Sequence, residues 1–156
     1  MLGKMIALAA EGHKDQYDKS GKPYILHSLK VMELLNTKDE ELMCIAVGHD
    51  LMEDCGHLLI DAGYPGISFI NWSDYLANLG FSDRVIRGIL SLTKEPNETY
   101  EQYKQGVKLN RDAILVKMAD LTHNSDVTRL KGITDKDLAR IKRYHEFYYE
   151  LLVAIR

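Results

Sequence analysis

The sequence contains little cysteine and no long apolar run. Its two cysteines, Cys44 and Cys55, show no CxxC spacing among 156 residues. They are too few for a disulfide framework and wrongly spaced for a thiolate zinc site, so we expect free thiols and a cytoplasmic location. No apolar run approaches the roughly 18 residues of a membrane-spanning helix, and no membrane partner is expected. The first residues pass directly into charged sequence and do not predict a signal peptide.

Excess charge of one sign is also missing. The formal net charge is −3, and no run of lysine and arginine is long enough for a nucleic-acid patch. Long nucleic acid is therefore not an expected partner. The chain has no internal repeats, low-complexity tracts or domain linkers. We predict a single domain over residues 1–156, long enough to bury a substantial core.

Apolar residues recur at helical spacing through most of the chain. This period appears in residues 2–12, 24–35, 111–123 and 135–155. Thr37, with Glu40 three residues later, resembles a capping box that opens a further helix reaching about Asp54. Glycine, proline and β-branched residues break the pattern in residues 55–70. The sequence predicts an all-α, compact multi-helix bundle with an irregular insertion around residues 55–70.

The segment AVGHDLMEDC, residues 46–55, places polar side chains inside an apolar run. His49 and Asp50 are adjacent, and on a helix Glu53 and Asp54 would lie one turn above them. Buried charge costs several kcal/mol unless it is paired or bound to a metal ion. The segment therefore indicates a metal site with carboxylates beside it.

Two further residues interrupt apolar stretches in the same way. His27 lies in PYILHSLKV and Asp120 in AILVKMADLTHN. Each has a simpler interpretation, His27 as a core histidine and Asp120 as the salt-bridge partner of Lys117. Taken with the pair at 49–50, they make a mixed nitrogen and oxygen ligand set suited to Mn²⁺, Fe²⁺ or Zn²⁺.

These motifs resemble the H…HD…D pattern of HD-domain metal-dependent phosphohydrolases. The stretches AAEGHKDQYDKSGKPYILHSLKV, GHDLMEDC and VKMADLTHNSDVTRL are most similar to the hydrolase domain of RelA/SpoT-type ppGpp enzymes and their small single-domain relatives. The resemblance implies one Mn²⁺ ion per chain, held by His27, His49, Asp50 and Asp120. It also implies that Glu53 and Asp54 position and activate water.

The resemblance further implies a phosphorylated nucleotide as the substrate. It assigns nucleotide contacts to Lys19, Ser20, Tyr24 and Asn124. Arg129 is among the cations that could offset phosphate charge. Tyr17 and Asp18 stand where the long bifunctional enzymes usually carry a basic residue, which bears on base specificity.

Three functions remain open at this point. The first is hydrolysis of ppGpp to GDP and pyrophosphate, and the second is a phosphatase acting on another phosphorylated nucleotide. The third is a non-catalytic nucleotide-binding sensor. The presence of Glu53 and Asp54 argues against a sensor, because a domain that only binds a nucleotide has no need of residues that activate water. Residues 55–70 begin beside the expected metal and are predicted to form a wall or lid of the pocket, or a dimer contact. The sequence does not specify an oligomeric state.

Overall fold

A computed structural model describes residues 1–55 and 72–156 of the protein. These residues fold into an all-helical bundle without a β-strand; their one β-bridge pairs Tyr17 with Pro23. The α-helices are α1 (Leu2–Gly12), α2 (Ile25–Leu34), α3 (Glu40–Gly48), α4 (51–55), α5 (Trp72–Asn78), α6 (Asp83–Leu92), α7 (Tyr100–Lys108), α8 (Arg111–Asn124) and α9 (Asp135–Ala154), with a 3₁₀ turn at Val127–Arg129. The predicted all-α class is confirmed. The predicted irregular insertion lies almost entirely outside the described residues.

Helix α3 forms the centre of the bundle, and α1, α2, α6 and α8 pack around it. Six of its nine residues are buried, so it is apolar on nearly every side rather than amphipathic. Small residues allow the neighbours to approach closely. A Cβ atom at Gly88 of α6 would collide with the side chain of Ile45, and one at Gly48 would lie 2.9 Å from Sδ of Met5.

Two details of the predicted third helix are wrong. Its N-cap is Asp39, whose carboxylate accepts the backbone amides of Glu41 and Leu42, whereas Thr37 accepts only the amide of Asp39. The helix also does not continue to residue 54. It ends at Gly48, and a turn at His49 precedes α4. Both cysteines are free, as predicted, and both are buried.

Arg84 connects the N-terminal ends of three helices. Its guanidinium contacts Asp39 at 2.7 Å, Glu41 at 3.1 Å and Asp112 at 2.7 Å. A planar guanidinium can bind several carboxylates at once, which a lysine cannot do with the same geometry. None of the helices in the described ranges is long and apolar enough to cross a membrane.

Candidate metal centre

The break between α3 and α4 orients the first candidate ligand. His49 donates its Nδ1–H to the carbonyl oxygen of Ala46 at 2.7 Å. In a continuous helix this carbonyl would accept the amide of Asp50, so the side-chain bond and the turn occur together. Because a carbonyl can only accept, Nδ1 carries a proton, and Nε2 faces Asp50, whose Oδ2 is 2.9 Å away.

The structure brings the four predicted metal ligands together from three different segments. Nε2 of His27 lies 3.2 Å from Oδ1 of Asp120 and 3.6 Å from Oδ2 of Asp50. Nε2 of His49 lies 3.8 Å from Oδ1 of Asp120. One ligand atom from each of His27, His49 and Asp50 falls within 4.8 Å of the others, which is compact enough for all three to hold one ion.

The environment of the His27 and His49 rings is the observation that best fits a bound metal ion. His27 and His49 are 3% and 1% exposed, yet no hydrogen bond to Nε2 of either ring is found among residues 1–55 and 72–156. The nearby aspartate oxygens lie at ion-pair distance but outside hydrogen-bond geometry. An unsatisfied buried nitrogen is costly, and a neutral imidazole nitrogen is a common metal ligand.

His123 holds the ring of His27 from behind. The two Nδ1 atoms are 2.7 Å apart and the rings are stacked, with centroids 4.9 Å apart. Burial and the neighbouring Arg129 lower the pKa of His123 to about 4, so its ring is neutral. Its Nδ1 can therefore accept a hydrogen bond from Nδ1–H of His27. We call the four predicted ligands, His27, His49, Asp50 and Asp120, the cluster. The bond to His123 would leave the Nε2 lone pair of His27 directed at the other three, as in many metal sites.

Asp120 uses both of its oxygens. Oδ2 lies 2.9 Å from Nζ of Lys117, and Oδ1 accepts a hydrogen bond from Asn124 at 2.5 Å. Burial would raise the pKa of Asp120, but Lys117 and the two cluster histidines outweigh it and hold that pKa well below its usual range. The salt bridge considered from sequence is thus present in addition to the contacts with the histidines. Lys117 is consequently paired in the interior of the bundle.

Asp50 is held by Tyr24, whose hydroxyl donates to Oδ2 at 2.5 Å. Burial disfavours a charged His49, but Asp50 and Asp120 outweigh it and raise the pKa of His49 to about 10. The pKa of Asp50 falls to about 2 because His49 outweighs the cost of burial. The two carboxylates therefore favour a positive charge between them, either a proton on His49 or a metal cation.

The predicted water-activating carboxylates lie on α4, directly after the cluster. The amide of Asp54 donates to the carbonyl of Asp50 at 3.0 Å. Its carboxylate accepts a hydrogen bond from Nε2 of Gln16 at 2.8 Å, and the carboxylate of Glu53 accepts one from the backbone amide of Lys94. The contacts of Gln16 and Lys94 were not predicted, because each joins segments far apart in the chain.

A cleft of about 330 Å³ opens beside the cluster. Its volume lies within the range of small-molecule sites. The residues that line it come from the loop before α2, from α2 itself, from the end of α8 and the turn after it, and from α9: Tyr17, Asp18, Lys19, Ser20, Tyr24, His27, Asn124, Asp126, Arg129, Leu130, Arg140 and Tyr144. All five predicted substrate-binding residues are in this set.

Arg140 and Tyr144 extend this cleft and were not predicted. They lie four residues apart on α9 and so share one face of the helix. That spacing was visible in the sequence, but nothing in it showed which face of α9 meets the cleft. Arg140 is paired with Asp137 at 2.8 Å.

Comparison with curated proteins identifies distant relatives. The chain is 26% identical over 125 residues to a guanosine-3′,5′-bis(diphosphate) 3′-pyrophosphohydrolase of Haemophilus influenzae. It is 28% identical over 149 residues to a GTP pyrophosphokinase of Myxococcus xanthus, and likewise to a probable guanosine-3′,5′-bis(diphosphate) 3′-pyrophosphohydrolase of Synechocystis sp.. These matches cover 75%, 90% and 92% of the chain, which spans only 17–18% of each relative's length. No family profile matches the chain.

These findings give the fold, a candidate cation site and distant relatives of the chain. The chain is an all-helical bundle with a His/Asp cluster that could hold a metal ion, and its distant relatives are enzymes named for guanine nucleotides. The similarity to these enzymes is distant and covers a small part of each of them.

Proposed function

We propose that this protein is a metal-dependent phosphohydrolase that removes pyrophosphate from the 3′ position of ppGpp, leaving GDP. The observation that carries the proposal is the pair of buried imidazoles, His27 and His49. Their unpartnered Nε2 atoms converge on two aspartates beside a cleft. The distant pyrophosphohydrolase relatives support the same chemistry.

The residues of the cluster fit one divalent transition metal. His27, His49, Asp50 and Asp120 would hold it, with two neutral nitrogens and two carboxylates that suit Mn²⁺ and also Fe²⁺ or Zn²⁺. When bound, such an ion polarises a phosphoryl oxygen and lowers the pKa of water.

Glu53 and Asp54 would position the attacking water, and one of the two would accept its proton. Both lie within one turn after the cluster, and the backbone of Asp54 is bonded to that of Asp50. Each carboxylate is fixed by a donor from another segment, Glu53 by the Lys94 amide and Asp54 by Gln16. A fixed carboxylate can meet the geometric requirement for a general base, which is hydrogen-bond reach of the proton it removes.

The substrate would occupy the cleft beside the cluster. Lys19 and Ser20 would contact it from the loop before α2, and Asn124 and Arg129 from the end of α8 and the turn after it. The ring of Tyr24 offers an aromatic surface next to its bond with Asp50. Residues 55–70 would form a wall or lid; this prediction falls almost entirely outside the described residues.

A second candidate function is hydrolysis of another phosphorylated nucleotide, and one contact favours it. Arg129, a predicted phosphate ligand, is already bound to Asp18 at 2.8 Å, and both side chains are mostly buried. This pair reduces the positive charge that the cleft offers to a substrate with four phosphates. The pair does not include Glu53, Asp54 or a predicted metal ligand, so it bears on which nucleotide is hydrolysed and not on the type of reaction.

The deciding experiment is incubation of the purified protein with Mn²⁺ and ppGpp, followed by separation of the products. GDP and pyrophosphate in equal amounts are expected, and an Asp54→Asn protein should form about 10²-fold less. Inert ppGpp together with rapid hydrolysis of another nucleotide would establish the second candidate. Tight nucleotide binding without turnover of any nucleotide would indicate a sensor.

A further inference from the structure

A buried histidine outside the metal cluster connects to one of the proposed catalytic carboxylates. His13 is 1% exposed at the end of α1, and its Nδ1 lies 2.6 Å from Oε1 of Gln16 and 3.1 Å from Sγ of Cys55. Gln16 in turn donates from Nε2 to Oδ2 of Asp54 at 2.8 Å. We call the series His13, Gln16 and Asp54 the relay. It joins α1, the loop before α2 and α4.

The chemistry of the relay permits one arrangement of protons. An ionised carboxylate can only accept, so Gln16 must turn its NH₂ group toward Asp54 and its oxygen toward His13. That oxygen needs a donor, which places a proton on Nδ1 of His13. Reversing the amide would set its oxygen against the carboxylate and its NH₂ group against an N–H. A proton on Nδ1 of His13 therefore reinforces the orientation in which the NH₂ group of the amide meets Asp54.

The backbone around Gln16 supports the same geometry independently of its side chain. The amide of Gln16 donates to the carbonyl of His13 at 3.0 Å, and its carbonyl accepts the amide of Tyr24 at 2.9 Å. These bonds do not involve the side chain, so a substitution at Gln16 should leave the loop in place. Cys55 is a neutral neighbour of the His13 ring, because burial raises the pKa of its thiol to about 12 and the thiol keeps its proton.

We propose that His13 and Gln16 are positioning residues that hold Asp54 by Oδ2, so that Oδ1 remains directed at the attacking water. This inference rests on the proposed function, because it assigns a task to the catalytic role of Asp54. It goes beyond that function in naming what orients the general base. The relay should affect the chemical step and leave substrate affinity and metal content unchanged.

The test measures kcat, KM, bound metal and Tm for Gln16→Leu. This variant keeps most of the side-chain volume and removes the donor to Asp54. A hydrogen bond to a charged group corresponds to a rate effect of about 10-fold or more, so we expect kcat to fall by that factor with KM and metal content unchanged. Gln105→Leu is the matched control, since Gln105 makes a comparable 3.0 Å hydrogen bond to Glu101 on α7. Its kcat should equal that of the unsubstituted protein.

A double-mutant cycle tests whether His13 acts through Gln16. His13→Phe removes the donor, and His13→Asn offers an amide N–H in its place. We expect His13→Phe to lower kcat, His13→Asn to recover part of it, and the double variant with Gln16→Leu to be no slower than Gln16→Leu alone. Multiplicative effects would overturn the link between the two residues. If His13 is needed only for packing, its substitution will lower Tm and leave the kcat of the folded protein unchanged.

Failure of the inference can be separated from failure of the proposed function. If Asp54→Asn hydrolyses substrate at the full rate, the role of Asp54 is wrong and the relay loses its purpose. If Asp54→Asn is slow but Gln16→Leu is fully active, only the relay is wrong. Should His13→Phe fail to fold, Gln16→Leu with its Gln105→Leu control still decides the role of Gln16, and full kcat in Gln16→Leu would overturn the inference.

Discussion

Binding of a divalent metal ion should raise the unfolding temperature of this protein, and Asp120→Asn should remove most of that rise. The cluster exists only in the folded chain, since its ligands come from α2, the turn after α3 and α8. An ion that binds only the folded state at about 100 times its dissociation constant adds about 2.7 kcal/mol to the free energy of unfolding. For a chain of this length, that corresponds to a Tm increase of roughly 5–11 °C.

Asp120→Asn keeps the shape of the side chain and removes its charge. Without metal, the variant should already be less stable, because Lys117 loses the partner of a mostly buried ion pair. The absolute Tm is therefore not decisive. The informative quantity is the increase in Tm on adding metal, which should shrink to about 2 °C or less as the affinity falls.

The assay is thermal unfolding after removal of metal with EDTA, with and without Mn²⁺, Fe²⁺ or Zn²⁺. Asp83→Asn is the matched control, because the Asp83 side chain is 87% exposed and its ion pair with Arg87, at 3.9 Å, is at the limit of ion-pair distance. Its metal-dependent increase should equal that of the unsubstituted protein. No increase with any of the three metals, or an unchanged increase in Asp120→Asn, would refute the assignment of this cluster as a metal site.

Three further predictions concern separate parts of the structure. His123→Phe removes the acceptor behind a metal ligand and should weaken metal binding by about 10- to 100-fold in calorimetric titration. Gly88→Ala should lower Tm, because overpacking costs about 1–3 kcal/mol and the gain in helix propensity is only about 1 kcal/mol. Gly106→Ala has open space around its new methyl group and should stabilise the protein by about 0.5–1 kcal/mol. Equal effects of the two substitutions on Tm would contradict the packing described. Hydrogen bonding to Arg84 lowers the pKa of Asp39, so this stabilisation is present above about pH 4 and lost as the pH falls through the lowered value. Arg84→Met should accordingly show a smaller loss of stability between about pH 5 and pH 2 than the unsubstituted protein, measured by denaturant unfolding.

The sequence predicted helices well where local signals agreed with each other. Residues 2–12 are helical as predicted, and residues 111–123 and 135–155 lie in α8 and α9 apart from one terminal residue. The prediction was wrong at the start of α3, where Thr37 and Asp39 are both good N-caps and only the folded chain decides between them. It was wrong again at His49, because a side-chain bond to a backbone carbonyl has no periodic signature.

The candidate ligands could be chosen from sequence because polar residues stood inside apolar runs. His27 and Asp120 were selected on that basis, and both are buried next to the pair at 49–50. Their roles as ligands stay predictions. Gln16 could not be selected, because it lies in a polar loop where glutamine is ordinary. Its significance depends on a contact with a residue 38 positions away.

Asp18 shows how an unusual residue can have a structural role that its position does not suggest. An acidic side chain beside a phosphate site would ordinarily repel the substrate. Here its carboxylate accepts hydrogen bonds from the backbone amides of Ser20 and Lys22, both at 2.9 Å, and from Arg129 at 2.8 Å. Burial would raise the pKa of Asp18, but the bonds from Ser20 and Arg129 outweigh it and keep the group ionised at neutral pH. The negative charge is therefore used to close the loop and to connect it to the turn after α8. The same pair neutralises Arg129, so any substrate that needs this arginine must compete with Asp18 for it.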